Sequence, residues 1–186
     1  MKRLFGFLLI ALSTTSFAQD EFKLNYNDDK KVEYQGVVEN EGVSQSDLFK
    51  KAIAWIENTK RSQTIDFKDE EVGKVIAKSQ FSTIGKSNYY SNKEYHYNFE
   101  CDVVLEFKDG KTRYTLENFK KKSSPGEPGS TLEYFIDNYK PEISSEKNRA
   151  KYAKMLDEIE LAIQDQVWDL IDDIKKTFGP VKKDDW

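Results

Sequence analysis

Residues Tyr95 to Phe119 read YHYNFECDVVLEFKDGKTRYTLENF, and this stretch constrains the fold more than any other. Tyr95, Tyr97, Phe99, Cys101, Val103, Leu105 and Phe107 alternate with His96, Asn98, Glu100, Asp102 and Glu106. Alternation of period two is the pattern of a strand with one buried and one solvated face. Asp109-Gly110 follows, and both residue types tolerate the positive φ that a two-residue hairpin turn demands. That turn sets Phe107 opposite Thr112, Leu105 opposite Tyr114 and Val103 opposite Leu116. A slip of one residue would mix the two faces, so the hydrophobic pattern specifies the register.

On the polar face the same register sets Glu106 opposite Arg113, a favourable pair. It also sets Asp102 opposite Glu117, with Glu100 two residues along, and like charges directly opposed are destabilising. The expectation is an acidic cluster on an open face, with Lys74 and Lys78 as compensators if their strand lies alongside. Relieving the repulsion with Asp102→Asn is then expected to leave stability unchanged or slightly raised.

The flanking sequence supplies the remaining elements. VEYQGVV, Val32 to Val38, reads as a strand with Val32, Tyr34 and Val38 on one side. Ser44 or Ser46 can cap a helix carrying Leu48, Phe49, Ala52, Ile53, Trp55 and Ile56 at spacings of three and four. SQTIDF predicts a strand with Ile65 and Phe67 on one face. KDEEVG predicts a turn, and KVIAKSQFSTI a strand with Val75, Ala77 and Phe81 inward. GKSNYYSNK reads as a loop, as does Lys120 to Ser130 with its two prolines and two glycines. TLEYFIDNY predicts a short strand or turn. Ser144 or Ser145 then caps a helix whose stripe runs Tyr152, Leu156, Ile159, Ile163, Val167, Leu170, Ile174 and Phe178, until Gly179-Pro180 stops it. At 1.5 Å per residue that helix is about 50 Å long.

Strand, helix, several antiparallel strands and a long helix make an α+β domain, with one early and one long C-terminal helix packed on one face of the sheet. The signal-like N-terminus, VEYQGVV, the helix SQSDLFKKAIAWI with Trp55, and YNFECDVVLEFKDGKTRYTLENF resemble the secreted Bacteroidota family described as a domain of unknown function with a TBP-like fold. The resemblance covers Val32 to Phe119. It implies fold and compartment and carries no active site. A helix-grip fold, with both helices standing off the sheet around a lipid-sized cavity, is the alternative architecture.

His96 is the single histidine and Cys101 the single cysteine. His96, Glu100 and Asp102 share a face, but same-face neighbours on a strand stand almost 7 Å apart. Zinc sites draw on several His or Cys ligands and calcium on an oxygen-rich loop, so no metal or cofactor is expected. No G-x-S-x-G, Walker or dinucleotide-binding motif occurs. Nothing names a reaction, and an enzyme stands behind two other readings. The first is a non-catalytic binding protein that holds a protein, peptide or glycan of the envelope. Its surface is the open sheet face (His96, Asn98, Glu100, Asp102, Arg113, Glu117) together with Tyr89 and Tyr90 in the loop. The second is a carrier of an apolar ligand between sheet and helices.

The N-terminus bears on compartment. MKRLFGFLLIALSTTSFAQ has a basic start, an apolar run from Leu4 to Leu12, and small residues Ser16 and Ala18 before Gln19, the plan of a secretory signal peptide. The run is too short to span a bilayer. The expected organisation is a signal peptide at 1–18, a mobile leader at 19–31, one domain at 32–178 and a polar tail at 179–186. Without Lys2 and Arg3 the chain has 27 basic residues against its 33 acidic ones, net −6. This disfavours nucleic acid and anionic lipid as partners. A lone cysteine on the apolar face of its strand is expected in the core. Intact mass of the exported protein is expected to lack Met1 to Ala18, and a full-length cytoplasmic product would contradict that assignment.

Overall fold

The computed structural model describes residues 24–59, 63–87, 93–122, 129–138 and 146–180. Its elements run β1 (Tyr34–Glu39), α1 (Gln45–Asn58), β2 (Gln63–Asp69), β3 (Lys74–Ser87), β4 (Lys93–Lys108), β5 (Lys111–Lys122), β6 (Ser130–Thr131), α2 (Leu132–Asn138) and α3 (Glu146–Phe178). The strands form one antiparallel sheet in the order β1-β5-β4-β3-β2, with β6 on the far end of β5. The alternating stretch is the centre of this sheet. It turns at Asp109-Gly110, where Gly110 has a φ of 71°, and pairs in the expected register from Phe107–Thr112 to Asp102–Glu117.

Inward residues of the sheet share one core with the helices. Phe99, Cys101, Val103 and Leu105 are wholly buried, as are Val75, Ala77 and Leu116. The α3 stripe from Leu156 through Ile159, Ile163, Val167, Leu170 and Ile174 to Phe178 is buried against them. Ser44 caps α1 by accepting from the Asp47 amide at 3.1 Å. At the other end of α1, the Trp55 indole N–H donates to Asp173 on α3 at 2.8 Å and fastens the two helices together. Gly36 on β1 is required by packing, because the Tyr114 ring occupies the space its Cβ would take.

Three expectations are corrected. Ile65 and Phe67 do not share a face. β2 holds one extra residue between them, so Ile65 pairs with Ala77 and packs on the core while Phe67 pairs with Ile76 and points away. Such a bulge exchanges the two faces of a strand. The second concerns the loop expected from Lys120, because β5 continues to Lys122. A bulge sets Asn118 and Phe119 against Cys101 alone. Asn118 takes a φ of 54°, which Asn accepts more readily than most residues, and Phe119 thereby turns inward. The third is TLEYFIDNY, which contributes a third helix. The Thr131 hydroxyl accepts from the Tyr134 amide at 3.2 Å, and Leu132 and Phe135, three apart, are buried. In the segment expected as a leader, residues 19–23 lie outside the described residues, Leu24 is buried and Tyr26 bridges to Val32.

The layer between sheet and helices is filled by large side chains. Phe81 stacks on Phe99, and Phe99 meets Phe135 edge-on. Phe107 packs on Phe49 and Phe178. Cys101 lies in this layer with no exposure. Its thiol is expected to react slowly with a thiol reagent in the native protein and rapidly in denaturant; fast native labelling would mean the faces of β4 are assigned the wrong way round.

Candidate functional site

The sheet face away from the helices is the candidate site, because its strand order and register bring dispersed residues into ordered rows. One row crosses the sheet as Val37, Arg113, Glu106, Lys74 and Asp69. The next runs Gln35, Thr115, Val104, Ile76 and Phe67. The third runs Glu117, Asp102, Lys78 and Thr64. Beyond these, β4 presents Glu100 between Gln80 and Lys120, Asn98 between Ser82 and Lys122, and His96 beside Ile84. The expected residues His96, Asn98, Glu100, Asp102, Arg113 and Glu117 thus share this face. Tyr89 and Tyr90 lie outside the described residues.

The face is not an acidic cluster. Lys78 donates to Asp102 at 2.9 Å and reaches Asp66 at 2.7 Å. The Asn118 amide donates to the second Asp102 oxygen at 2.9 Å. Arg113 holds Glu106 at 2.6 Å, and Lys122 lies 3.5 Å from Glu100. The β3 lysines compensate β4 as expected. The bulge at Asn118 adds a donor and carries Lys120 and Lys122 up to Glu100. Opposition of Asp102 and Glu117 is therefore outweighed by the partners Asp102 already has.

Hydrogen bonds to Asp66 and Asp102 hold the Lys78 ammonium well above its ordinary pKa of 10.5. A raised lysine pKa contributes stability that is complete below the unfolded value and lost as pH rises through the folded one. The Lys78 contribution is thus full at neutral pH and fades only in strong alkali. Its side chain is about one-third exposed, so screening limits the gain.

The second row was not legible as a site. Val104 faces away from the helices yet is only 7% exposed, sheltered by its row neighbours. Phe67 is 44% exposed and Val37 58% exposed. Val72, in the turn before β3, is more exposed still and lines a cleft of about 230 Å³ with Val37, Glu106, Lys111 and Arg113. The signal in the sequence is the doublet Val103-Val104, where a strictly alternating strand would carry a polar second residue. Ile76 in KVIAK repeats it on the neighbouring strand.

A larger cleft, about 540 Å³, lies at the β1–α1 and β4–β5 end, lined by Glu39, Ser44, Asp109 and Lys111. Several of its polar groups are spent on closing the loops. Asp109 accepts from the Gln45 amide at 2.8 Å, Lys111 pairs with Glu39 at 3.1 Å, and the Gly110 amide donates to Val43. It is a structural joint. Across the molecule, the Tyr26 phenol is pushed up to about 12 by burial and then by Glu160, Glu133 and Asp137, so it does not titrate at ordinary pH. Among the described residues, no three His, Cys, Asp or Glu side chains are grouped to hold a metal ion, and no helix is long and apolar enough to cross a membrane.

The ion-pair geometry reverses the expected sign for Asp102. Lys78→Met is expected to lower stability by about 1 kcal/mol and Asp102→Asn by about half as much, the range of partly exposed pairs. Urea denaturation at neutral pH reads both, and a stabilised Asp102→Asn would restore the repulsion argument.

Comparison with known proteins agrees with this architecture. Residues 34–122 match the model of the family described as a domain of unknown function (DUF4468) with TBP-like fold. A DUF4468 family protein from Bacteroides ovatus superposes with a TM-score of 0.56 at 18% identity, over 84% of this chain and 90% of that one. A TBP-like protein from Parabacteroides distasonis superposes with a TM-score of 0.51 at 13% identity, over 82% and 97%. At these identities the likeness is one of fold alone. No curated protein matches the chain. The sheet from β1 to β5 thus lies within the segment that matches the family described as a domain of unknown function (DUF4468) with TBP-like fold.

Proposed function

We propose that the protein is a non-catalytic binding module, exported to the periplasm or outer envelope, that holds a polypeptide partner on its open sheet face. The observation that carries this reading is the apolar row of Val104, Ile76 and Phe67 laid between two rows of paired charges, with Val37 and Val72 exposed beside it. Interfaces combine an apolar centre with a polar rim in this way. The paired charges of the rim are already oriented on a hydrogen-bonded sheet, so little side-chain freedom would be lost on contact. His96, Asn98, Glu100, Asp102, Arg113 and Glu117 form the polar part of that surface.

A carrier of an apolar ligand is the weaker reading, because Phe81, Phe99, Phe119 and Phe178 occupy the layer such a ligand would need. Export rests on the sequence of residues 1–18.

A photoreactive amino acid at Val37 or at Phe67, introduced in the native host, is expected to capture a polypeptide. The same probe at Glu158, on the outer side of α3, is expected to capture none. Equal capture at all three positions, or none at Val37 and Phe67, would remove the open face as the binding surface.

A further inference from the structure

We infer that the open face is built to pair with the open face of a second copy of this chain; the inference rests on that face being a binding surface. The reason is the order of its charges. From β5 to β2 one row reads Arg113, Glu106, Lys74, Asp69, so the signs alternate through four positions. An alternating row with an even number of members is complementary to its own reverse.

A two-fold axis parallel to the strands, between β4 and β3, lays every row on its reverse. Lys74 then comes over Glu106 of the second copy, and Arg113 over Asp69. In the apolar row Val104 meets Ile76, and Ile76 meets Val104. In the third row Lys78 meets Asp102. The one like-charged approach is Glu117 near Asp66, which the β2 bulge places beside Thr64. The contacts repeat on both sides of the axis, as an isologous interface requires. A foreign partner would have to carry this pattern independently, whereas a second copy carries it by construction.

Scale agrees with the arrangement. Four strands about 4.8 Å apart, β2 with its 7 residues and the others with about ten in play, present roughly 600 Å² per copy. Pairing would bury on the order of 1,200 Å² in total, at the lower end of stable interfaces. Two sheets packed face to face stand about 10 Å apart with strands within about 30° of each other, which keeps the rows aligned near the axis. The intrachain pairs need not break: each Lys74–Glu106 pair, 4.0 Å apart, becomes half of a four-charge cluster.

The test is sedimentation velocity on the purified chain and two single variants, Lys74→Glu and Glu106→Lys. Both positions lie on the open face, about one-third exposed; because each substitution also opposes like charges within the chain, circular dichroism first verifies that each variant is folded. The parent is expected to be dimeric at about 100 μM, a loading suited to a pairing at the low end of interface size. Each variant alone places like charges across the axis and is expected to weaken the dimer at least about tenfold. An equimolar mixture of the two is expected to recover it, because two acidic positions then face two basic ones. Glu158→Lys, on α3, is expected to leave the dimer unchanged. A mixture that stays monomeric overturns the proposal. A monomeric parent whose Val37 probe still captures another polypeptide overturns self-pairing and keeps the face as a binding surface; a monomeric parent with no capture removes both.

Discussion

Burial of the α3 stripe on the inner face of the sheet is the contact on which the rest depends. A helix of 33 residues gains most of its stability from packing an amphipathic face. The sheet in turn needs its apolar side covered. α3 lies chiefly over β3, and Gln166 fixes its position by donating to the Ser82 carbonyl at 3.1 Å. Trp55 ties α1 to Asp173, and Asn40 donates to the Gly179 carbonyl at 3.3 Å where α3 ends. With three helices committed to one side, the other side of the sheet has no cover among the described elements. The open face is therefore a consequence of where the long helix must go.

That face would be costly if its charges were left to repel. Two bulges prevent this. In β2 the extra residue Asp66 becomes a second acceptor for Lys78. In β5 the turn of phase at Asn118 supplies a donor to Asp102 and brings Lys122 to Glu100. The same two irregularities act on apolar residues with opposite results. One sends Phe67 out to the open face; the other brings Phe119 into the core. A single inserted residue thus does two jobs, because parity along a strand has only two values.

How much of this the sequence discloses follows from where local pattern suffices. The β4–β5 hairpin was legible because alternation and Asp-Gly specify its register without help from elsewhere. The α3 stripe was legible because eight apolar residues keep the helical period. The bulges were not. SQTIDF looks like unbroken alternation, whereas TLENF, with Leu116 and Phe119 three apart, shows that the period slips without showing where; in both the neighbouring strand decides which residue is surplus, and that is a tertiary choice. α2 was hidden for a related reason. Leu132 and Phe135 fit a helix only once Thr131 is available to cap it and the core is there to receive them. Of the site, the polar residues could be placed on one face, but their pairing could not, since Lys78 belongs to a strand whose neighbour had to be assumed. The apolar row is hidden in the sequence because Val104 breaks the alternation by one residue, a small departure in a strand of 16.

Val104 also says what kind of surface this is. A valine on the outer side of a central strand gains little if that side is permanently wet, and a threonine would hold β geometry there at no cost in solubility. Its two neighbours in the row, Thr115 and Ile76, shelter it, and the rows above and below are charged and paired. The apolar atoms are thereby gathered along one line crossing three strands, from Val104 on β4 through Ile76 on β3 to Phe67 on β2. Scattered apolar residues on a surface carry no meaning. A contiguous line bounded by oriented charges is different, because burying it removes apolar surface from water while each flanking charge keeps its intrachain partner. Desolvation of an unpaired charge is what usually makes a charged face poor at association. Here the pairing is complete along the first row from Arg113 to Glu106, and at Asp102 in the third, before any partner arrives. The obstacle to covering this face has been reduced within the monomer, and the apolar line supplies the reason to cover it.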